Sequence, residues 1–346
     1  MSELSEFVPE ASTAVAAPPA SPPASPVRSI ELLVGDVPMT GLLALPPDGV
    51  PPRAVIVALH GSGMAAGYFH GQADASTSLL SLAADAGYAA LALDRPGYGG
   101  SARRLPHGLC LAEQAVFVRA ALRAYVAAGH GTGEGFLLVG HSMGGKVALT
   151  TAASARAEEG LLGVDVSGVG ARWAVSPERL ASLGRRPDPR LHWGPLTLYP
   201  PDTFRLARGF VSAVPRREAA EIPGWPVRYA DVARRIRVPV RFTFAEYERL
   251  WAWDAPAVRE LTGCLTAPVR VDHEPGAGHN ISLGHTARRH HLRLLDFLEE
   301  CRDRADRSDR ADRSDRSDRA DRSDRADRAD RRDRPDRADR SDRLVR

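Results

Sequence analysis

Short apolar runs alternate repeatedly with longer helical patterns along most of this chain. The fully apolar runs at residues 54–59 and 88–93 have the length and composition of buried parallel strands. A third run, residues 136–139, leads directly into a helical pattern rich in Ala and Leu that continues to Ala155. Strands that alternate with helices need crossover connections, which place helices on both faces of a parallel sheet. The sequence therefore predicts an α/β fold with a doubly wound, mostly parallel sheet.

The other predicted elements extend this alternation along the chain. The further predicted strands are short apolar runs bounded by turn residues, and they cover 30–34, 41–45, 161–166, 238–244 and 269–271. The further predicted helices cover 76–86, 109–128, 256–262 and 286–301. The stretch 170–237 breaks the pattern, because it is irregular and rich in Trp and Pro. We expect it to form a lid inserted between two strands, which covers the site and shapes an apolar pocket.

The two ends of the chain differ in composition from its body. Residues 1–27 are rich in Ala and Pro, and no basic residue precedes Arg28, so we expect a disordered leader and not a secretory signal. Residues 303–346 are mostly Asp-Arg-x triplets, which offer helical ion pairs but almost no apolar side chain, so they predict a transiently helical, solvated tail. The body, residues 28–302, is long enough to form one α/β domain around a large core.

The charge of the chain comes mostly from this tail. The formal net charge is +3, and residues 303–346 alone hold 14 Asp and 16 Arg, so the body is nearly neutral. A body with so little net charge has no strong field to steer nucleic acid, and the composition disfavours a nucleic-acid-binding protein. Lys146 is the only lysine among the 46 basic residues, which we interpret as the bias of a GC-rich coding sequence.

Three further patterns argue against other classes of protein. No stretch approaches the ~18 apolar residues that a membrane span needs. The three cysteines are widely spaced and form no CxxC pattern, which indicates neither a disulfide framework nor a zinc site. His285, His290 and His291 do not share one helix face, so we expect them on a solvated surface and not at a metal. We therefore expect a soluble, cytoplasmic protein that has no metal, cofactor, membrane or nucleic-acid partner, and the oligomeric state stays open.

The pattern Gly140-x-Ser142-x-Gly144 has the form of a nucleophile elbow. Such an elbow is a sharp strand-to-helix turn that strains the serine backbone, and its glycines lack the Cβ atoms that would collide there. The serine then lies at the N-terminus of a helix, whose dipole favours developing negative charge. Alone the pattern is weak evidence, since a chain with 31 glycines can match it by chance. Because it follows a predicted strand and begins a predicted helix, Ser142 is the candidate nucleophile.

Five short segments together resemble the α/β-hydrolase fold family. They occur in the order typical of that family, each follows a predicted strand, and together they span about residues 30–300. The segments are HGSG at 60–63, DRPGYGGS at 94–101, GHSMGG at 140–145, AEYE at 245–248 and GAGHN at 276–280. The resemblance implies an α/β-hydrolase fold, a lid and a serine, histidine and acid triad that works without a cofactor.

The resemblance also implies the other two members of the triad. His279 corresponds to the base, since it follows the last predicted strand in a Gly-rich loop that can bring the imidazole over the serine. The family acid follows the preceding strand, and alignment of AEYE on that position selects Glu248. Most family members carry Asp there, so the longer Glu requires a slightly more distant loop. Glu246, Asp254 and Asp165 stay open as alternatives.

The resemblance finally implies an oxyanion hole built from two backbone N–H groups. Met143, the residue after the nucleophile, supplies one N–H, and the loop after the strand at 54–59 supplies the other, for which we favour Ser62. The Ser62 hydroxyl is a candidate third donor.

These residues predict a serine hydrolase that cleaves an ester or thioester of a small to medium-sized molecule through an acyl-enzyme on Ser142. Serine at the elbow disfavours dehalogenase and epoxide hydrolase relatives, which need Asp there. Acyl transfer, lactone hydrolysis and amide hydrolysis are alternatives on the same triad. A catalytically silent member of the fold that only binds a ligand is the alternative from another class of protein.

Overall fold

The chain forms an eight-stranded sheet flanked by helices, in a computed structural model that describes residues 26–47, 49–182 and 188–332. The strands are β1 Val27–Val34, β2 Val37–Ala44, β3 Val55–Leu59, β4 Ala89–Leu93, β5 Phe136–His141, β6 Leu161–Ser167, β7 Val240–Tyr247 and β8 Val269–Gly278. Their order in the sheet is β1-β2-β4-β3-β5-β6-β7-β8. The β1-β2 hairpin and the β2-β4 pair are antiparallel, and the other pairs are parallel. The predicted mostly parallel, doubly wound sheet is confirmed.

The α-helices of the described residues follow the strands in alternation. They are α1 Leu79–Asp85, α2 Leu111–Ala127, α3 Met143–Ser154, α4 Pro177–Ser182, α5 Pro189–His192, α6 Thr203–Ala207, α7 Arg216–Glu221, α8 Trp225–Ala233, α9 Ala255–Gly263 and α10 Ala287–Arg332. Five of them, α4 to α8, lie in one insert between β6 and β7. The lid expected from the Trp and Pro content is therefore an insert of short helices between two strands.

The apolar runs of the central strands follow from burial on both faces of the sheet. In β3, Val55, Val57 and Leu59 enter the core on one face, with side chains of α2, α3 and α8. Ile56 and Ala58 enter the core on the other face, with side chains of α1 and α10. Because successive residues of a strand point to opposite faces, a strand covered on both sides has no position for a polar residue.

Strand β8 and helix α10 extend well beyond their predicted C-terminal ends. Strand β8 continues to Gly278, where it pairs with Tyr247 of β7 and places the loop that follows it at the carboxyl edge of the sheet. Helix α10 does not end at residue 301 but continues to Arg332, so the predicted boundary between body and tail falls inside a helix. The repeat sets an Arg four residues after each Asp, and Arg310 pairs with Asp306 in this way at 3.6 Å.

Most of the predicted leader and residues 333–346 lie outside the described residues. Within the described ranges, no helix combines the length and the apolar composition that crossing a membrane requires.

Candidate active site

The turn between β5 and α3 holds Ser142 in a strained conformation. Its φ of +53° is the one positive value at a non-glycine residue in the part of the chain that the structure describes. A Cβ at Gly140 would lie 2.5 Å from the Gly144 carbonyl oxygen, and a Cβ at Gly144 would overlap the backbone oxygens of Leu59 and His60. Only glycine fits these two positions, so the local sequence determines where the serine side chain leaves the backbone.

The HGSG loop after β3 lies against this turn. A Cβ at Gly61 would lie 3.4 Å from Ser142 Cβ and 3.1 Å from His141 Cδ2. Ser142 is half-buried, and its backbone N–H donates to the carbonyl of Ser167 at the end of β6 at 2.8 Å. Three loops at the carboxyl edge of the sheet therefore meet around one serine.

The loop after β8 brings His279 to a buried carboxylate. His279 Nδ1 lies 2.7 Å from Glu248 Oε2, and both side chains are almost completely buried. The second oxygen, Glu248 Oε1, accepts the N–H of Leu250 at 2.9 Å and that of Trp251 at 3.4 Å. With Nδ1 donating to the carboxylate, the lone pair of the neutral ring resides on Nε2. That atom is buried and has no hydrogen-bond partner among the described residues.

The histidine lies close to the nucleophile turn. Its ring centroid is 4.8 Å from that of His141, the residue before Ser142. Gly168 leaves room for the ring, because a Cβ at that position would lie 2.7 Å from His279 Cε1. Burial, and next the nearby imidazole of His279, hold the pKa of His141 well below its ordinary value, so His141 stays neutral and is no second base.

The three alternative acids contact other groups. Glu246 accepts the N–H of Gly276 on the surface, and Asp254 caps α9 at its first turn. Asp165 is buried against Arg241, with 2.5 Å between Oδ2 and Nη1. Of the four carboxylates considered, Glu248 is the one that the structure brings to His279.

The N–H groups of Met143 and Ser62 are the two donors expected to form an oxyanion hole. In the described part of the chain, neither the Met143 N–H nor the Ser62 N–H has a hydrogen-bond partner. The Ser62 hydroxyl, in contrast, donates to Glu218 Oε1 at 2.8 Å. Its expected role as a third donor is therefore wrong, because a buried carboxylate of the insert engages that hydroxyl.

Sequence analysis missed the ion pair behind this loop. Arg95 and Glu218 are both fully buried, with 2.6 Å between Arg95 Nη1 and Glu218 Oε2. Burial opposes ionisation of the Glu218 carboxyl, but the charge and hydrogen bonds of Arg95 outweigh it and lower its pKa. No local pattern in the sequence links these residues, which are 123 positions apart.

Sequence analysis also missed the surroundings of Lys146, one turn along α3 from Ser142. Its Nζ lies 4.8 Å from the ring centroid of Trp173, 5.1 Å from that of Trp251 and 5.9 Å from that of Trp225. We call these three indoles the tryptophan cage. Burial lowers the pKa of Lys146 to about 7, with Glu218 and Arg95 acting in opposite directions.

The histidines of the last helix are not on a solvated surface. His290 and His291 are buried, and His291 Nδ1 and Nε2 contact the Thr77 carbonyl at 2.8 Å and the Ser282 hydroxyl at 3.0 Å. That part of the prediction is wrong because α10 turns this face toward α1. Across the described residues, no cluster of His, Cys, Asp and Glu is arranged to hold a metal.

Comparison with known proteins identifies the family. A sequence profile of the alpha/beta hydrolase family matches residues 56–291, which include Ser142, Glu248 and His279. The chain belongs to this family. A search of curated proteins finds no match for this alpha/beta hydrolase.

Solved structures with the same fold carry several activities in their names. An E-2-(acetamidomethylene)succinate hydrolase matches with a TM-score of 0.60 and 17% identity, over 79% of this chain and 99% of that one. A carboxyl esterase from Bacillus coagulans matches with a TM-score of 0.57 and 16% identity, over 80% and 98%. A proline iminopeptidase from Mycobacterium smegmatis matches with a TM-score of 0.55 and 18% identity, over 79% and 98%. These likenesses show the fold, and with the family match they support a hydrolase.

Proposed function

We propose that this alpha/beta hydrolase is a serine hydrolase that cleaves an ester or thioester of a small to medium-sized molecule through an acyl-enzyme on Ser142. The observation that carries the proposal is the contact of His279 Nδ1 with the buried Glu248 carboxylate, which makes Nε2 the nitrogen that can accept a proton when the ring is neutral. A neutral imidazole held in this tautomer beside a strained serine is the arrangement that serine catalysis needs.

In the first half of the reaction, His279 Nε2 takes the proton of the Ser142 hydroxyl as the oxygen attacks the substrate carbonyl. The carbonyl oxygen becomes an oxyanion, which accepts hydrogen bonds from the N–H groups of Ser62 and Met143. The tetrahedral intermediate collapses, the bond to the leaving group breaks, and the imidazolium protonates the departing alcohol or thiol. Glu248 holds the ring in place and stabilises its positive charge throughout.

In the second half, a water molecule takes the place of the leaving group. His279 removes a proton from this water, whose oxygen attacks the acyl carbon, and the second intermediate releases the carboxylic acid and restores the Ser142 hydroxyl. An alcohol in place of water gives acyl transfer, and a cyclic or amide substrate gives lactonase or amidase chemistry on the same residues. We favour esters and thioesters because no motif for recognition of an amine is visible in the sequence.

Labelling with a fluorophosphonate probe tests the nucleophile. We expect wild type to be labelled and Ser142→Ala to be unlabelled, because phosphonylation needs an activated serine. If the two proteins were equally unlabelled, the serine hydrolase proposal would be wrong, and the alternative of a catalytically silent ligand-binding protein would be favoured.

A panel of p-nitrophenyl esters of increasing chain length, with acyl thioesters beside them, tests the substrate class. We expect turnover on at least one series, and the preferred chain length measures the acyl pocket.

Glu248→Gln tests the acid, and Glu246→Gln is the matched control, since Glu246 is an exposed residue two positions away. We expect Glu248→Gln to lower kcat by about three to four orders of magnitude, because a triad acid fixes the tautomer of the histidine. Normal turnover of Glu248→Gln together with loss in Glu246→Gln would show that the acid is assigned wrongly.

A further inference from the structure

A buried network binds several polar groups of the loop at residues 60–63. Arg95 Nε donates to the His60 carbonyl at 2.7 Å, and Arg95 Nη2 donates to the Gly61 carbonyl at 3.2 Å. The Ser62 hydroxyl donates to Glu218 at 2.8 Å, and the Gly63 N–H donates to the hydroxyl of Tyr98 at 3.0 Å. The Ser62 N–H, which lies in the middle of these contacts, is left without a partner in the described part of the chain.

Because a peptide unit is planar, the contacts of the Gly61 carbonyl also determine the direction of the Ser62 N–H. The peptide bond between Gly61 and Ser62 is trans, so its C=O and its N–H point in opposite directions. The carbonyl of Gly61 points toward Arg95 and also accepts from His60 Nδ1 at 2.8 Å. The N–H of Ser62 therefore points away from Arg95, while Gly61 itself packs against Ser142.

Glu218 is the residue on which this network converges. Its carboxylate accepts from Ser62, from Tyr98 at 2.7 Å, from both terminal nitrogens of Arg95 and from Gln114 at 3.3 Å. It belongs to α7 of the insert, whereas its partners belong to the sheet domain, so it joins the insert to the loop. Without this carboxylate, Arg95 is a buried charge with no counter-ion. Its guanidinium N–H groups would then form hydrogen bonds with other acceptors.

We propose that Glu218 is a positioning residue of the oxyanion hole, which orients the Ser62 N–H by holding both Arg95 and the Ser62 side chain. This inference rests on the proposed serine hydrolase function and adds a role for a residue of the insert. Glu218 touches no reacting atom. It acts through the peptide unit between Gly61 and Ser62, whose tilt sets the distance from the N–H to the developing oxyanion.

The test is Glu218→Gln, measured on the best ester of the panel, with kcat expressed per site that a fluorophosphonate can label. Loss of one oxyanion donor lowers kcat by about 10²- to 10³-fold, so we expect misorientation of one donor to lower it about 10- to 100-fold. KM should stay within about threefold, because the oxyanion forms only after substrate has bound. The inhibition constant of phenylboronic acid, which forms a tetrahedral adduct on serine, should rise in parallel with the loss of kcat.

The matched control is Glu159→Gln. Glu159 also binds an arginine, Arg119, through both carboxylate oxygens. It lies two residues before β6, so it is at the opposite edge of the sheet from the site. We expect this variant to lose stability while its kcat per labelled site stays unchanged. A purely structural role for Glu218 would give the same behaviour as the control.

A second variant keeps the proposal falsifiable if Glu218→Gln does not fold. Arg95→Met with Glu218→Leu removes both charges together, which leaves no unpaired ion in the core. We expect this pair to fold and to lose kcat to a similar degree. A kcat within twofold of wild type in whichever variant folds, or a change in KM alone, overturns the proposal. Absence of Ser142-dependent turnover in wild type overturns the proposed function itself, and this inference with it.

Discussion

Replacement of Lys146 by Met tests whether the tryptophan cage holds a titrating ammonium. The pKa of Lys146 is about 7 in the folded protein and 10.5 in its ordinary state. This difference corresponds to about 5 kcal/mol in the free energy of unfolding, a penalty that the ammonium suffers because it is buried. Cation–π contacts with the three indoles offset part of the burial cost. Methionine has a similar length and no charge, so Lys146→Met removes the penalty.

The direction in which stability changes with pH follows from proton binding in the folded and unfolded states. Between pH 7 and 10.5 the unfolded chain carries the proton on Lys146 and the folded chain does not, so the stability of wild type rises with pH in that window. Below pH 7 both states are protonated and the penalty is constant. Lys146→Met lacks this dependence. We therefore expect its advantage over wild type to shrink by about 2 kcal/mol between pH 7 and pH 9.

Urea unfolding of wild type, Lys146→Met and Lys146→Arg at pH 6, 7.5 and 9 measures the effect. Arginine stays charged over this range, so the difference between the two variants should not depend on pH, which controls for all other titrating groups. The charged groups nearest to Lys146, Glu218 and Arg95, are common to the three proteins. If the difference between wild type and Lys146→Met were constant within about 0.5 kcal/mol from pH 6 to pH 9, the proposed titration of Lys146 would be refuted.

Two further predictions concern the elbow and the tail. Gly144→Ala should abolish turnover and lower the free energy of unfolding by more than about 3 kcal/mol, because the added Cβ would overlap the Leu59 backbone. The control is Gly263→Ala, at the end of α9, where the added Cβ would lie in open space. This control should raise the free energy of unfolding by up to about 1 kcal/mol. Chemical denaturation compares the two alanine variants, and a Gly144→Ala protein of normal stability would contradict the described packing of the elbow. Truncation after Arg302 should leave the turnover of p-nitrophenyl esters unchanged, since Ser62, Ser142, Glu248 and His279 all precede this position. A large loss would show that the residues after Arg302 contribute to catalysis.

The parts of the site that could be predicted are those encoded by local patterns. Ser142 lies in a turn that its own glycine neighbours enforce, and His279 follows a strand that the apolar pattern reveals. Selection of Glu248 over Glu246 needed the resemblance to the family, because the sequence does not show which of two carboxylates two positions apart contacts the histidine. The structure distinguishes them by burial, since one is buried against the histidine and the other is exposed.

The parts that escaped prediction depend on contacts between distant segments. Glu218 lies in an insert whose sequence shows neither a helical nor a strand period, and its role depends on contact with Arg95, which is 123 positions away in the sequence. Lys146 was interpreted through the composition of the whole chain, and composition contains no information about which three tryptophans converge on one side chain. The length of α10 was missed because its repeat has no apolar face, and a helical pattern is normally recognised by that face.

The tryptophan cage also makes intrinsic fluorescence a useful probe of this protein. Three of its five tryptophans, Trp173, Trp225 and Trp251, surround one amino group, so most of the indoles of the protein lie at this one point. Indole emission shifts when a nearby charge appears or disappears. Trp225 belongs to the insert, Trp251 follows the candidate acid, and Lys146 is on the nucleophile helix. We therefore expect the emission of unlabelled protein to change if these three segments shift against one another when a substrate binds.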